Sequence, residues 1–300
     1  MKSTASMGSA TTTSQSFALT ALIVGGITIG CSPIFVRLSE LGPLSTAFWR
    51  VALAMLPLMA WSAATSGRSE GEAKPSSLAE VLALMVPGVM LAGDLAAWHI
   101  SLHMTSVANA TLLANMAPIF VTLASWLFFR TRITRVFLAG LTLSLIGVTI
   151  LQGGLGAVGG GKLAGDAMAV VASVFYAGYL ISLGRLRSKF STLTTMLWTT
   201  FSAGLCMLPA ALIFETGFFP VTLFGFAMLL GLAWITHASG QGLIIYALAW
   251  LPPAFSSLTL LVQPVVAAIL AWALLAEPLG AAQALGGVIV LAGIFVARRG

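Results

Sequence analysis

The chain has 300 residues, of which 59% are hydrophobic and only 7% are charged, and its formal net charge is +6. A soluble domain carries about 25% charged residues because its surface has to stay solvated. Eight acids and fourteen bases are too few for a soluble protein of this size, so the composition excludes a soluble enzyme and indicates a surface that faces lipid.

Ten apolar runs predict an all-α integral membrane protein. A spanning helix needs about 20 apolar residues at a rise of ~1.5 Å per residue. Residues 1–16, rich in Ser, Thr and Ala, are predicted to be a disordered tail. The predicted transmembrane helices cover residues 18–37, 43–64, 79–101, 106–128, 134–152, 163–184, 191–213, 221–245, 252–274 and 279–297.

The basic residues predict the orientation of these helices. Cytoplasmic segments of membrane proteins are enriched in Lys and Arg. With the amino terminus in the cytoplasm and ten crossings, eleven bases fall inside, and both termini are cytoplasmic. Outside remain three bases, Arg37, Arg50 and Lys162, and inside are Lys2, Arg68, Lys74, Arg130, Arg132, Arg135, Arg185, Arg187, Lys189, Arg298 and Arg299.

The two halves of the chain resemble each other. An offset of 146 residues places Pro118 on Pro264 and Trp126 on Trp272, and it also superposes two glycine pairs, Gly140 with Gly286 and Gly147 with Gly293. Each half contains five predicted helices, an odd number, so the second half enters the membrane from the opposite side. The sequence therefore predicts two inverted five-helix repeats, an architecture found in many secondary transporters.

Two charged residues are predicted at depth in the membrane. Asp94 lies inside the third helix and Arg50 inside the second, both some two turns from the same predicted side. A charge at the centre of a membrane helix costs about 2.5–3.5 kcal/mol on insertion scales, so each needs a reason. We expect Arg50 and Asp94 to form an ion pair, which is either structural or part of gating or coupling.

Two prolines fall near the middle of their helices, at matching places in the two halves. Pro118 and Pro264 each remove one backbone hydrogen bond and free the carbonyl four residues earlier, at Ala114 and Leu260. Free backbone at membrane depth has to be buried or to line a cavity. The sequence predicts paired kinks, either beside a central cavity or as packing features without ligand contact.

Polar and aromatic side chains recur at helical spacing inside several predicted helices. They are expected to face the bundle interior, since lipid offers them no partners; there they bind a solute or hydrogen-bond between helices. The four aromatic ones suit a planar or apolar solute, and His237 is a candidate for proton coupling. The substrate-binding candidates are Trp98, Asn115, Tyr176, Tyr179, Trp234, His237, Gln241, Ser256, Thr259 and Gln263.

No cofactor or metal is predicted. His99 and His103 lie one turn apart, but no Glu stands between them and no further ligand is evident. Cys31 and Cys206 lie in apolar runs and are expected to be buried thiols. The sequence contains no G-x-x-x-x-G-K-[ST] motif and no paired intramembrane aspartates, G-x-S-x-G or H-E-x-x-H motif. A nucleotide-driven pump and a membrane-embedded enzyme are therefore disfavoured.

Three motifs resemble the drug/metabolite transporter superfamily, specifically its ten-helix members with two EamA-type repeats. They are Phe48-Trp49-Arg50-Val51-Ala52-Leu53-Ala54, then Thr105-Ser106-Val107-Ala108-Asn109-Ala110 leading to Ala117-Pro118-Ile119, and Gln263-Pro264 followed by Leu274-Leu275-Ala276-Glu277-Pro278-Leu279. The resemblance implies repeats at 17–155 and 162–298, joined near Gly159–Gly161. One departure is Phe128-Phe129-Arg130-Thr131-Arg132, where the family usually has a glutamate like Glu277.

The resemblance also implies a function. It suggests a central cavity between the repeats and export across the bacterial inner membrane, and the chain is similar to YddG-type exporters of aromatic and other neutral amino acids. Alternatives are an exporter of drugs, lipophilic cations or another metabolite, and, more distantly, a channel or a membrane-embedded enzyme. The expected partners are a small-molecule substrate and the lipid bilayer, with protons as a further candidate and no nucleic acid. The expected state is a monomer or weak homodimer.

Overall fold

The structure is a computed structural model that describes residues 4–65, 73–105, 107–154 and 163–300, with side chains except at 4–14, 102, 103 and 107–109. All regular secondary structure in these ranges is helical, and eight helices are long and apolar enough to cross a membrane, with two shorter apolar helices beside them. We number the ten spans α1 to α10. They are α1 (Thr4–Gly30 and Ser32–Arg37), α2 (Pro43–Thr65), α3 (Leu78–Met104), α4 (Val107–Ala114 and Ala117–Phe129), α5 (Arg135–Leu151), α6 (Leu163–Leu186), α7 (Thr192–Phe214), α8 (Leu223–Leu230, Gly231–Gln241 and Gly242–Ala247), α9 (Pro253–Thr259 and Val262–Leu275) and α10 (Ala281–Ala297).

The predicted fold class is confirmed, with one difference at the amino terminus. The first helix reaches back to Thr4, so most of the stretch expected to be a disordered tail is helical in the structure. Other expectations lie outside the described residues. These are residues 1–3, the polar loop at 66–72, Ser106, and the segment 155–162 with its three glycines and Lys162.

Local sequence explains where the helices begin and end. The side chains of Ser77, Thr134, Ser191 and Thr222 each accept a hydrogen bond from a backbone N–H in the first turn of the helix that follows, which satisfies donors that have no partner within the helix. At the other end, α4 and α9 both terminate in a left-handed residue, Arg130 with φ 51° and Ala276 with φ 54°. These two positions differ by 146 residues, the same offset that relates the halves.

Both predicted proline kinks are complete breaks in the helix. The first segment of α4 ends at Ala114 and the second begins at Ala117, while the segments of α9 are separated by Leu260 and Leu261. Pro118 and Pro264 each lie near the start of the second segment, where proline is tolerated because the first N–H groups of a helix need no partner. The two breaks match to within one residue at the offset of 146 residues. A further break in α1 precedes Pro33.

Glycines in α5 and α10 show that the repeats are inverted. Gly140 near the start of α5 faces Gly293 near the end of α10, and Gly147 faces Gly286, so the helices are antiparallel. Because the offset of 146 maps Gly140 to Gly286 and Gly293 to Gly147, the two contacts exchange under the symmetry. Ser144 and Val290 also correspond at this offset, and the Ser144 hydroxyl donates to the Val290 carbonyl at 3.3 Å. The pseudo-twofold axis therefore passes between α5 and α10.

The closest packed helix pairs join one repeat to the other. They are α5 with α10, α3 with α6, α1 with α8, α3 with α7 and α2 with α7, and the symmetry exchanges the α3–α6 pair for the α1–α8 pair. Glycines permit close approach in each: a Cβ on Gly93 of α3 would lie 2.7 Å from the Phe175 ring, and one on Gly25 of α1 would lie 2.8 Å from the Gly240 carbonyl oxygen. The helices of the two repeats are thus interleaved, and the two repeats share one core.

The bundle has two ends, which we name by the chain termini. The terminal face carries both ends of the chain, where the Thr134 hydroxyl donates to the Gly300 carbonyl. The distal face carries the α1–α2, α7–α8 and α9–α10 connections. Between these ends the outside of the bundle is covered with exposed large apolar side chains, such as Leu138, Ile146, Val288 and Phe295. Such a continuous apolar exterior suits lipid.

Candidate functional site

The middle of the bundle contains a group of polar side chains from both repeats. Six helices contribute to it: α2, α3, α6, α7, α8 and α9. We call the group the interior cluster, and its members are Arg50, Asp94, Tyr176, Tyr179, Thr200, His237, Gln241 and Gln263. Seven of the eight were predicted from the sequence as site residues, and Thr200 was not.

Close packing of α3 on α6 brings the first-repeat carboxyl to the tyrosines. Gly93 contacts the Phe175 ring, and the next residues along the two helices are Asp94 and Tyr176, whose groups lie within electrostatic range of each other. The rings of Tyr176 and Tyr179 are stacked, with centroids 5.8 Å apart and an interplanar angle of 28°. Tyr179 is fully buried, whereas Tyr176 is partly exposed.

Hydrogen bonds from α8 and α9 complete the tyrosine side of the cluster. The Gln241 side-chain amide donates to the Tyr179 phenol oxygen at 2.7 Å, and the Gln263 side chain lies beside the Tyr176 phenol. The Gln241 carbonyl oxygen and the Gln263 amide nitrogen are buried without a hydrogen-bond partner. A buried polar group without a partner costs about 1–3 kcal/mol, so these amides retain unused capacity to bind a ligand.

The central segment of α8 has π-helical geometry, and this determines which side chains reach the interior. Gly231–Gln241 forms backbone hydrogen bonds to the fifth residue back instead of the fourth, so each turn contains more residues than in an α-helix. His237 and Gln241 both face inward and are almost fully buried. The His237 Nε2 atom lies 3.1 Å from the Thr200 hydroxyl of α7, and its Nδ1 atom has no partner.

Trp234 is placed away from the interior cluster. The spacing of three residues to His237 predicts a shared face only in an α-helix, and the wider π-helical turn rotates the indole to the outside. Its side chain is 45% exposed, and its Nε1–H donates to the Leu53 carbonyl of α2 at 3.1 Å. In the structure Trp234 therefore joins α8 to α2 at the lipid-facing surface.

Arg50 and Asp94 face the same interior region but do not form a direct ion pair. Their charges interact, and Arg50 also lies within range of Tyr176, Tyr179 and His237. No nitrogen of Arg50 is within 4.0 Å of a carboxylate oxygen of Asp94, the limit for a salt bridge. The Arg50 Nε atom is buried with no hydrogen-bond partner. The expected gating or coupling pair is thus two separated charges in this structure.

Four other predicted site residues are buried or half-buried without a described contact to the cluster. The Asn115 amide donates to the Thr111 carbonyl of its own helix at 2.8 Å, and the Thr259 hydroxyl donates to the Phe255 carbonyl at 2.9 Å. Ser256 is fully buried, and its hydroxyl has no partner. Trp98 is partly buried and packs edge to face on the adjacent His99. Pro118 and Pro264 are buried at the helix breaks.

Thr200 could have been found from the density of polar residues in α7. Thr194, Thr195, Thr199 and Thr200 lie close together in one span, and three of them are almost fully buried. A threonine in a helix commonly bonds its own backbone, so a run of threonines alone does not identify the one that meets a histidine.

The histidine pair provides no described metal site. The His99 Nδ1 atom lies 2.5 Å from the Leu95 carbonyl oxygen, and the side chain of His103 lies outside the described residues. Among the side chains that the structure describes, no group of three His, Cys, Asp or Glu residues is arranged to hold a metal ion.

Contacts between the repeats are concentrated at the distal face. Arg37 forms an ion pair with Glu277, Thr105 donates to Asp166 at 2.6 Å, and the backbone N–H groups of Leu44 and Ser45 donate to Glu215 at 2.6 and 2.8 Å. We call these contacts, together with the Glu40 contacts described next, the distal contacts.

Glu40 accepts several hydrogen bonds across the distal face. The backbone N–H groups of Val221 and Thr222 donate to its carboxylate at 2.8 and 3.1 Å, and the Thr222 hydroxyl also donates to it. These bonds favour the ionised form, and the hydroxyl has the largest effect. They therefore lower the pKa of Glu40 below its usual value.

Among the residues that the structure describes, the terminal face has fewer links between the repeats, and it contains a cavity. Lys189 forms an ion pair with Glu80, and Thr134 contacts Gly300. A cavity of about 460 Å³ lies between the start of α1, the α4–α5 and α8–α9 connections and the end of α10. Arg132, Trp250, Phe255 and Arg298 are among its lining residues.

Comparison with known proteins agrees with the fold and the symmetry. The model of the EamA-like transporter family matches this chain twice, at residues 16–152 and 163–299. The chain belongs to the EamA-like transporter family. An uncharacterized transporter from Archaeoglobus fulgidus is 29% identical over 287 residues, which cover 93% of this chain and 94% of that protein. A solved crystal structure that shares 16% of the sequence has the same fold, with a TM-score of 0.78 over 95% of this chain and 98% of that chain.

Family membership and the apolar helices together make this chain a multi-pass membrane protein of a transporter family. The match places one copy of the family domain on each side of residues 153–162. The interior cluster draws on both copies, with Arg50 and Asp94 from the first and the remaining six side chains from the second.

Proposed function

We propose that this EamA-family protein is a secondary transporter that exports small metabolites, most of all aromatic and other neutral amino acids, from the bacterial cytoplasm. It lies in the inner membrane with both termini in the cytoplasm, so the terminal face is cytoplasmic and the distal face is outside. The basic residues support this orientation, since the prediction from the sequence assigns eleven of the fourteen to the cytoplasmic side.

The interior cluster is the observation that carries the proposal. It lies where the two inverted repeats meet, and it combines a stacked tyrosine pair with amide, imidazole and charged groups. Several of its polar atoms have no protein partner: the Arg50 Nε, Gln241 carbonyl, Gln263 amide and His237 Nδ1 atoms. Transporters built from inverted repeats commonly bind their substrate at mid-depth beside interrupted helices, and α4 and α9 are interrupted here.

The distribution of contacts between the repeats supports a mechanism of alternating access. The distal contacts hold the repeats together at the outer end, while the cavity of about 460 Å³ separates parts of both repeats at the terminal face. We infer that the distal contacts are a gate, which separates as the terminal side closes. Export then consists of substrate entry from the cytoplasm and release after the distal contacts part.

The test is transport by the purified protein in proteoliposomes. We expect saturable uptake of labelled phenylalanine or tyrosine, and counterflow when an unlabelled amino acid is loaded on the other side, because a carrier exchanges substrates and a pore does not. Saturable flux of a lipophilic cation alone would instead support the drug exporter, for which the unpaired carboxylate of Asp94 is the favouring observation. Flux without saturation or counterflow would support a channel and contradict the proposal.

Proton coupling is tested in the same vesicles. His237 is the candidate for proton coupling because it is an imidazole inside the interior cluster and its Nδ1 atom is free of protein partners. If protons drive export, an imposed pH gradient changes the initial rate in the wild type and not in His237→Gln. An equal effect of the gradient on both proteins would remove His237 from the coupling pathway.

A further inference from the structure

Two opposite charges lie in the interior cluster without satisfying each other. Arg50 and Asp94 interact at a distance, but they are not within salt-bridge range. Both side chains are only partly exposed, and the Arg50 Nε–H has no hydrogen-bond acceptor. A charge inside a membrane protein normally has a paired charge or a set of hydrogen bonds. Here the two charges interact but do not form a salt bridge, so neither neutralises the other by direct contact.

We propose that Arg50 and Asp94 together bind the head group of a zwitterionic α-amino acid, with the substrate carboxylate on Arg50 and the substrate ammonium on Asp94. The assignment rests on the proposed function, and it deepens that function by naming the groups that recognise the substrate. It also accounts for the separation of the two charges, since a direct ion pair between them would compete with the ligand for both.

The guanidinium of Arg50 suits the substrate carboxylate, and the carboxylate of Asp94 suits the substrate ammonium group. A guanidinium offers several N–H donors in one plane, and two of them match the two oxygens of a carboxylate. A carboxylate that accepts hydrogen bonds matches an ammonium group. Arg50 and Asp94 together carry no net charge, and neither does a zwitterionic amino acid. Binding therefore gives each of the two interior charges a partner of opposite charge.

The tyrosine rings beside Arg50 and Asp94 can contact the substrate side chain. Tyr176 is partly exposed and lies within electrostatic range of both Arg50 and Asp94, and its ring is backed by the buried ring of Tyr179. A planar side chain can stack on this ring while the head group stays between the charges. This arrangement favours aromatic amino acids over amines or acids of the same shape.

Three probes separate the two halves of the head group. They are L-phenylalanine, phenethylamine, which lacks the carboxylate, and 3-phenylpropionate, which lacks the ammonium group. Binding to the purified protein is measured by ligand-induced thermal stabilisation, so the readout does not require transport. The wild type is expected to bind phenylalanine at least about tenfold more tightly than either analogue, because each analogue leaves one interior charge without a partner.

Two single variants test the assignment of each charge. In Arg50→Gln, phenylalanine is expected to lose its advantage over phenethylamine, with affinities within about threefold, while its advantage over 3-phenylpropionate persists. In Asp94→Asn the pattern is reversed: phenylalanine and 3-phenylpropionate converge, and phenethylamine remains weaker. Arg135→Gln is the matched control, because Arg135 is exposed at the start of α5 and distant in sequence from the cluster. It should keep the wild-type ranking.

The outcomes distinguish this assignment from the proposed function. If the wild type binds phenylalanine but each variant weakens all three probes equally, the charges are structural and the assignment is overturned while amino-acid transport stands. If the wild type binds none of the probes, amino-acid recognition fails, and the assignment fails with it. Size-exclusion profiles identify variants that do not fold, and Arg50→Lys then replaces Arg50→Gln. Lys keeps the charge but loses the two-point contact, so it should narrow the preference for phenylalanine over phenethylamine.

Discussion

Gln241 has a hydrogen-bond partner for only one of the two polar atoms of its side chain. Its amide nitrogen donates to the Tyr179 phenol, its carbonyl oxygen has no partner, and both side chains are buried. The same is true of His237, which contacts Thr200 through one ring nitrogen only. Each side chain is therefore held in place by one contact and has a second polar atom available.

The contact between Tyr179 and Gln241 predicts a non-additive pair of substitutions. Tyr179→Phe removes the acceptor and leaves the Gln241 amide without any partner, which we expect to cost about 1–3 kcal/mol in stability. Adding Gln241→Leu removes the stranded amide, so the double variant should be less destabilised than the sum of the single variants. Thermal unfolding in detergent measures all four proteins. Strictly additive losses would show that the two side chains do not depend on each other.

Glu40 predicts how the distal face responds to pH. Its pKa is lowered in the folded protein, so its hydrogen bonds contribute stability above the usual carboxyl value of 4.5, and this contribution is lost as the pH falls through the lowered pKa. In thermal unfolding from pH 7 down to about pH 3, Glu40→Gln should lose less stability on acidification than the wild type. Parallel curves for the two proteins would contradict the prediction.

Some site residues could be predicted from sequence and others could not, for a local reason. Arg50, Asp94 and Tyr176 are recognisable because a polar group inside an apolar run has to face protein. Trp234 was expected beside His237 because an α-helical spacing was assumed, and the π-helical turn of α8 changes that register. Residue types do not reveal a shift in backbone hydrogen bonding, so neither Trp234 nor the partnership of His237 with Thr200 could be derived.

The antiparallel helices α5 and α10 approach each other closely along their glycines. A Cβ on Gly147 would lie 2.6 Å from the Val290 backbone nitrogen, and one on Gly293 would lie 2.6 Å from the Ser144 nitrogen. Real Cβ atoms do not approach backbone so closely, so the helices would have to separate. The pattern of glycines made this pairing partly predictable, since the same four positions already matched between the halves.

Glycine substitutions in this pair are expected to destabilise the bundle. Gly147→Ala and Gly293→Ala should each cost about 1–3 kcal/mol, because the new methyl groups meet fixed backbone. Gly217→Ala is the matched control, since a Cβ there has no atom within 4 Å. Fluorescence-detected size-exclusion after heating compares the three variants. Equal melting of Gly147→Ala and Gly217→Ala would show that the two helices separate easily.

At the level of the whole molecule, one of the contacts that join the distal ends of the repeats has low intrinsic strength. Arg37 and Glu277 are 64% and 40% exposed, and exposed ion pairs contribute about 0–1 kcal/mol. The sequence anticipated Glu277 as a family feature but not its partner, because the two residues are 240 positions apart. In the transport cycle that we propose, a weak contact of this kind breaks and forms again at little cost in free energy.

The ion pair of Arg37 and Glu277 predicts a change in access without a loss of fold. Arg37→Glu or Glu277→Arg should favour distal opening, and up to ~1 kcal/mol changes a population ratio by about fivefold. The readout is the rate at which an impermeant maleimide, added from the distal side, labels Asn115→Cys in a background without native cysteines. Labelling should accelerate in both single variants and return toward wild type when they are combined. Lys189→Glu, which breaks the terminal-face pair, is the control and should not accelerate it.

The interruption of α1 has no counterpart in the second repeat. The corresponding helix α6 runs unbroken from Leu163 to Leu186, although the offset of 146 places Cys31 over Ala177, two residues before Tyr179. If the two repeats exchange conformations when the site opens to the other side of the membrane, α1 becomes straight and α6 bends at the position that corresponds to the break in α1. The stacked rings of Tyr176 and Tyr179 would then lie at the point where α6 bends. A substrate in contact with these rings would act directly on the backbone whose bending decides which side of the membrane the site faces.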